Sequence, residues 1–492
     1  MPSSWLNRKL RSALIWIASN PVSAIGGVLT AGGIILCIFF LLIYMTSAES
    51  INPYVGAMGF LGLPMIPFAG IGLVVIGKLI FKGNVGKEPF WVDQFNIRNE
   101  RKALILFGVA IFTFVAFVAI SSIQAATFMD SSKFCGQTCH SVMEPEAVTH
   151  AASGHATVKC VNCHVGEGLE GAFVAKMRGT WQIISLALDK FERPIPAPVE
   201  SLPSSEDTCQ NCHDTKRTHP KRMSLYTTYR DNEGSNKLIS AIVLNVGSSE
   251  KGATRGIHAH GSKDLQVRYY TTDPDRRNIV WIEAITPRET RTWSKEGETP
   301  PTIEKVRRTS KGRPIYTIKG NGNMRAMDCV DCHNRTGHNF KTIERLANEL
   351  LLKGVVDQSL PYAKLVTIKA LEGASSVPKD RIETKVTAEI MAAWPHEKEA
   401  DNIIKFISAE ARKYLYPRMN IGWDYYQNQN QHSRDEGCFR CHNQRMVDKK
   451  GNNLKQECES CHETVADKIP FETWQKKLYG KNRGIENSRV TN

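Results

Sequence analysis

Residues 134–164 read FCGQTCHSVMEPEAVTHAASGHATVKCVNCH, and the fold follows from how this stretch is understood. Its last five residues, Cys160, Val161, Asn162, Cys163 and His164, form a C-x-x-C-H unit, the pattern of c-type haem attachment. Two cysteines three positions apart project from one turn, so both thiols can add to the two vinyl groups of one porphyrin. The histidine that follows turns its imidazole toward the iron. The unit recurs at Cys209/Cys212/His213, Cys329/Cys332/His333, Cys438/Cys441/His442 and Cys458/Cys461/His462. A variant with one extra residue lies at Cys135/Cys139/His140, which brings the total to six. Zinc sites and thioredoxin-like redox pairs also use C-x-x-C, but neither needs histidine directly after the second cysteine. All six units have it, in a chain with 14 histidines. Six covalently attached haem c groups are therefore expected.

The 492-residue chain has 13 cysteines, and the one outside the motifs, Cys37, sits in an apolar run where a buried thiol is expected. The formal charge of +14 is partly offset by the two propionates each haem brings, and no nucleic-acid motif accompanies it. Nucleic-acid binding is excluded on that ground.

Residues 22–48, 50–77 and 103–129 are almost wholly uncharged or apolar, each longer than the ~20 residues a helix needs to cross a bilayer. Three transmembrane helices are expected, preceded by a basic interfacial lead-in at Arg8, Lys9 and Arg11. A cleaved signal peptide fits poorly, because the first apolar core is too long. Lys78, Lys82, Lys87, Arg98, Arg101 and Lys102 lie between the second and third spans, whereas the first connection carries only Glu49. The positive-inside rule then puts the N-terminus in the cytoplasm and everything after residue 129 outside, the compartment where haem c is attached. The glycines of the first two spans read as close helix packing, with a quinone or lipid groove as the alternative.

Residues 170–191 show a helical apolar face through Phe173, Met177, Trp181, Ile184 and Leu188, suited to lying on a membrane surface. Residues 238–246, 265–271, 278–286 and 314–318 are rich in β-branched and aromatic residues, so a small β-rich insert is expected there. Its His258 and His260 would share a face if they lay on a strand. Residues 340–416 turn helical, and residues 466–492 read as a surface helix with a frayed tail. The architecture is a membrane-anchored multihaem cytochrome c, with a mainly helical, loop-rich, haem-packed periplasmic domain after the three-helix anchor. The divisions are residues 1–129, 130–221, 222–327, 328–430 and 431–492.

Beside the attachment histidines His140, His164, His213, His333, His442 and His462 stand eight others: His150, His155, His219, His258, His260, His338, His396 and His432. Bis-histidine ligation throughout would use six of these. Met143 is a further candidate, since a thioether can serve as an axial ligand. His396 reads equally as a ligand and as a helix-end residue.

CHSVMEPE at 139–146, SGHATVKCVNCH at 153–164 and KMRGTWQ at 176–182 resemble the NapC/NirT family of membrane-anchored quinol dehydrogenases, NrfH and CymA types included. The resemblance covers roughly residues 100–220, the trihaem segment included. The three-helix anchor and the long haem-bearing extension look more like the ImcH-like inner-membrane cytochromes of metal-respiring bacteria. The resemblance implies oxidation of menaquinol, or another quinol, beside the first haem, in anaerobic respiration at the bacterial inner membrane. It implies a lysine paired with an acidic residue near the quinol: Lys176 matches the lysine, and Gln182 stands about where the acid is expected. The family takes a methionine after its first motif as ligand. Here the spacing is CHSVM, so His140 and Met143 both stay open.

Oxidation of a quinol releases two electrons and two protons. Lys176 would stabilise negative charge on the quinol oxygen, and Glu144, Glu146, Glu167 or Glu170 could take protons. Electrons would leave through the C-terminal pair of motifs to periplasmic c-type cytochromes. The alternative is an anchor and electron-transfer subunit docked permanently on a terminal reductase. A terminal reductase in its own right ranks last, because no C-x-x-C-K motif is present. Assembly as a homo-oligomer or with a reductase is left open.

Overall fold

The computed structural model describes residues 16–47, 62–81 and 100–480, apart from 18, 139, 166–176, 180, 183, 200–201, 214–220, 248–255, 263, 296–297, 309–313, 433–435 and 455–457. The chain forms two compact units, one of residues up to Cys135 with 164–188, the other of 136–163 with 189–492.

The first unit holds α1 (Pro21–Ser47), α2 (Met65–Ile80) and α3 (Glu100–Met129). Residues 21–43 and 105–129 are long and apolar enough to cross a membrane, whereas α2 has 16 residues. At 1.5 Å per residue α2 spans about 24 Å, short of a full crossing. The start of the second expected span, residues 50–61, lies outside the described residues. Glycine brings α1 and α2 together backbone to backbone. A Cβ at Gly26 would stand 2.7 Å from the Gly70 carbonyl oxygen, and one at Gly77 would stand 2.8 Å from the Ser23 nitrogen. Any side chain there would force the helices apart, as at small-residue interfaces in membranes. Ser23 Oγ donates across this contact to the Val74 carbonyl at 3.1 Å.

The second unit begins with α4 (His140–Ala151) and the motif turn α5 (Cys160–His164), whose last residue falls to the first unit. Two antiparallel sheets follow. The first has the order β1 (Lys221–Tyr229), β2 (Lys237–Asn245), β10 (His462–Pro470). The second has seven strands in the order β6-β7-β8-β3-β4-β5-β9. These are β3 (Gln266–Thr271), β4 (Ile279–Ile285), β5 (Thr290–Lys295), β6 (Ile303–Arg308), β7 (Pro314–Ile318), β8 (Asn323–Ala326) and β9 (Met446–Val447). Residues 279–283 of β4 are buried in succession, as expected of a strand covered on both faces.

The sheets reach beyond the stretch expected from sequence. Residues 446–447 and 462–470 come from the C-terminal dihaem segment, and β10 stands where a surface helix was expected to begin. The helix starts later, at α12 (Phe471–Gly480), after two more motif turns, α6 (Cys329–Cys332) and α11 (Cys458–Cys461). His258 and His260 lie on a 3-10 turn, Ile257–Gly261, rather than on a strand, so they do not share a face.

Between the fourth and fifth motifs run α7 (Ile343–Leu352), α8 (Ala363–Ser375), α9 (Ile382–Ala393) and α10 (Ala400–Arg412). Thr342 caps α7, its hydroxyl accepting from the Arg345 amide at 3.1 Å. Leu346 and Leu350 of α7, Leu371 of α8, Ile382, Val386 and Ile390 of α9 and Ile403 and Ile407 of α10 are buried in one core.

Candidate haem-binding sites

Each described motif is a short turn that brings its cysteines to one side: α5, α6, α11 and the 3-10 turns Cys209–Asn211 and Gly437–Arg440. The turns close locally; the His213, His333 and His442 amides each donate to the carbonyl of the first cysteine of their own motif, at 2.9, 2.7 and 3.0 Å.

The histidines then pair across space. His155 faces His213, His258 faces His333, His260 faces His442 and His432 faces His462, with ring centres 5.9, 6.4, 6.0 and 6.0 Å apart. Two imidazoles on opposite sides of one metal stand about 6 Å apart at their centres, because each metal–nitrogen bond is about 2 Å and half a ring adds on each side. Every such pair joins a motif histidine to one from elsewhere in the chain. The rings fit axial ligation of a haem iron attached at the adjoining cysteines.

Ligating histidines need the second ring nitrogen held, which fixes the tautomer and aims the first at the metal. His155 Nδ1 lies 3.3 Å from the Thr336 carbonyl oxygen and His260 Nδ1 lies 2.8 Å from that of Ile257. His432 stacks on Phe439, with ring centres 4.5 Å apart. Burial pushes His258 and His333 below the ordinary imidazole range, which keeps them neutral, the form that binds iron.

The motif cysteines also neighbour one another in chain order. Cys212 is close enough to push the Cys163 thiol up, after burial and Cys160. Cys209 and Cys329 share a hydrogen bond, Cys438 and Cys441 add to the burial that pushes Cys332 up to about 12, and Cys438 acts on Cys461. The second to sixth motifs thus form a succession in which each adjoins the next.

A buried charge cluster joins the fourth and fifth motifs. Asp331, between Cys329 and Cys332, accepts from Tyr269 Oη at 2.6 Å and pairs with Arg276 and Arg325 at 3.4 and 3.5 Å. Its other carboxylate oxygen accepts from the Asp328 amide at 2.8 Å. Burial alone would raise the Asp331 carboxyl, but Arg325 and Arg276 hold it below the usual range. Arg440, between Cys438 and Cys441, donates to the carbonyls of Asp331 and Arg276 at 2.7 and 2.8 Å. Sequence reading missed this cluster, although an acid inside one C-x-x-C gap and a base inside another were visible.

The remaining expected residues fall out as follows. Glu144 is ion-paired with Lys379 at 3.0 Å, and Lys379 lies 4.0 Å above the Tyr416 ring. Gln182 is exposed on a helical turn, Met143 is half-buried, and His396 is exposed in a turn after α9. His140 opens α4. Lys176, Glu167, Glu170, Cys139 and His219 lie outside the described residues.

Against known proteins, the chain is 29% identical over 464 residues to the cytochrome c-type protein ImcH of Geobacter sulfurreducens, covering 91% of this chain and 88% of that one. No family model matches the chain, and no solved structure matches it. The similarity supports a multihaem c-type cytochrome that transfers electrons.

Proposed function

We propose that the chain is an inner-membrane quinol dehydrogenase. It oxidises menaquinol at the outer membrane surface near the first motif and hands the electrons to periplasmic cytochromes. The observation that carries this reading is the unbroken succession of motif cysteines, each beside the next from the second to the sixth. When bound, each haem accepts and donates one electron at a time. The resemblance to the NapC/NirT family supports the quinol as donor, and the similarity to ImcH supports a c-type cytochrome that transfers electrons.

The chain ties the first motif to the membrane, since Cys135 follows the end of α3 by six residues. Met177, Trp181, Ile184 and Leu188, at helical spacing, are all exposed and apolar, which suits a segment lying on lipid next to a lipid-soluble donor. Lys176 is the cation that would hold negative charge on the quinol oxygen, and Gln182 would donate a hydrogen bond beside it. Glu144, a candidate proton acceptor on α4, is ion-paired with Lys379.

The test is reduction of the full-length, detergent-extracted protein by a menaquinol analogue, followed at the haem absorption band, with Lys176→Ala as the comparison. Rapid reduction that collapses in the variant supports the proposal. No reduction of protein carrying all its haems overturns it, in favour of an anchor subunit supplied with electrons by a partner.

A further inference from the structure

Between the fourth and fifth motifs lies a cavity of about 60 Å³ whose lining includes four arginines: Arg276, Arg277, Arg335 and Arg440. Two aspartates, Asp275 and Asp331, also line it, so the wall carries more positive charge than negative. We infer that this cavity is an anion site, in which Arg335 and Arg276 hold a carboxylate or a small oxyanion. Its source is either a propionate of a haem at a neighbouring motif or a free oxyanion such as phosphate. The propionate source rests on the motifs carrying haem. A space of this size admits a carboxylate or a few waters, but not a porphyrin ring.

The positive charge is not balanced from within. Asp331 is shared between Arg276 and Arg325, at 3.4 and 3.5 Å, and Asp275 pairs with Arg277 at 3.6 Å. Arg440 is occupied by carbonyls, donating to those of Gly437, Arg276 and Asp331 at 3.1, 2.8 and 2.7 Å. Arg335 has no carboxylate at ion-pair distance among the described residues. Glu146, the acid whose charge bears most on it, has its carboxylate 3.0 Å from His338 Nδ1. Arg335 lies instead over the Tyr426 ring at 4.1 Å, a face that carries no net charge. The Nε atoms of Arg335 and Arg276 are buried without a hydrogen-bond partner, and Arg276 as a whole is 5% exposed. A buried guanidinium left short of partners costs free energy, and an anion in the cavity removes that cost.

Specific hydrogen bonds hold the wall in place. Asn334, next to Arg335, donates from Nδ2 to the Gln427 carbonyl at 2.9 Å, and its Oδ1 accepts from the Gln429 amide at 2.9 Å. Gln429 Oε1 accepts in turn from the Gly437 amide at 3.0 Å, where the turn of the fifth motif begins. Gly437 has a φ of +56°, and a Cβ there would stand 1.4 Å from the Gln431 carbonyl oxygen, so only glycine fits. The segment 427–431 is thus clamped to the fourth motif at one point and to the fifth at another. A guanidinium fork meets a carboxylate through two parallel N–H···O bonds, and a wall already fixed needs no rearrangement to receive one.

The experiment uses the haem-loaded, full-length protein in detergent and the variant Arg335→Met, which removes the charge and keeps an apolar side chain of similar length against Tyr426. With an anion in the cavity, the variant leaves it unpaired and the thermal midpoint falls. Without one, removing an unpaired buried charge leaves the midpoint unchanged or raises it, which overturns the inference. Two further readouts separate the sources. If the anion comes from solvent, inorganic phosphate raises the parent's midpoint above that in chloride at equal ionic strength, and the variant loses this response. If it is a propionate, phosphate has no effect and the reduction potential of one haem falls in the variant, because a cation that favoured the reduced form is gone. A lower thermal midpoint with neither a phosphate response nor a shifted potential means that Arg335 acts by packing on Tyr426, and overturns the inference as well. Should Arg335→Met fail to accumulate, Arg277→Gln at the half-exposed rim decides by the same two readouts, with smaller shifts, and no change in either refutes the site. Quinol oxidation plays no part in these measurements, so failure here and failure of the dehydrogenase reading are separate results.

Discussion

The helical scaffold of α7 to α10 and the motif turns are held together by different physics. The scaffold buries Leu346, Leu371, Val386, Ile390 and Ile407 in one continuous apolar core, as any small helical domain does. The turns Cys160–His164, Cys209–Asn211 and Cys458–Cys461 are three to five residues long and bury none of their own residues. They are fixed by backbone closure and by side chains reaching from distant parts of the chain. The scaffold's core is specified by the apolar pattern of its own helices. The motif region is specified by where its cysteines and histidines must converge on a porphyrin.

The largest effect that would break or sharpen this contrast comes from withholding haem. Protein made without the attachment machinery should lose amide protection throughout the five described motif turns, while the amides of α7 to α10 stay protected. Hydrogen exchange read by mass spectrometry separates the two regions. Equal loss in the scaffold would show that its core depends on the cofactors and would erase the distinction.

Next in size is the polar link between the fourth and fifth motifs. Asp331→Ala removes the carboxylate partner of the buried Arg276 and one of the two carboxylates beside the half-buried Arg325, a change of about 3–5 kcal/mol where a buried pair is broken from one side. Arg440 would still bridge to the Asp331 carbonyl. The loss should appear as a lower thermal midpoint of the haem-loaded protein. An unchanged midpoint would mean that the cluster only fills space between the motifs.

In the scaffold the corresponding cut is apolar. Leu371→Ala empties a fully buried position and should cost about 2–5 kcal/mol, depending on how far the helices close over the gap. The loss should be the same in protein with and without haem, measured by exchange of the α8 and α9 amides. A cost that vanishes without haem would place this core downstream of the cofactors.

The two regions also differ in how much of them could be read in advance. The four helices were legible because Leu346, Leu350, Ile403 and Ile407 repeat at helical spacing, and periodicity is a local signal. The attachment sites were legible because a porphyrin demands cysteines and histidine at fixed spacing. The histidine partners were not. His258 and His260 are two residues apart and face His333 and His442, about 75 and 180 positions away in sequence. Only the fold of the chain decides that, by carrying both rings on the 3-10 turn Ile257–Gly261. Likewise β10 pairs with β2 across more than 200 residues, so neither strand's own pattern could reveal the other.

The smallest expected effect tests whether surface charge belongs with the scaffold's core or merely decorates it. Burial would raise the Glu349 carboxyl, but Lys341, at 2.5 Å, and Arg345, at 3.3 Å, hold it below the usual carboxylate range. A carboxylate with a depressed folded-state pKa adds stability that is present above its unfolded value, about 4.3, and is lost as pH falls through the folded value. Glu349→Gln should therefore lower stability near neutral pH by at most about 1 kcal/mol, because the pairs are partly exposed. The difference from the parent should shrink toward zero as the solution is acidified below pH ~4. The readout is exchange of the α7 amides as a function of pH. A difference independent of pH would mean that the carboxylate acts by packing rather than charge, and the scaffold would then owe its stability to its apolar core alone.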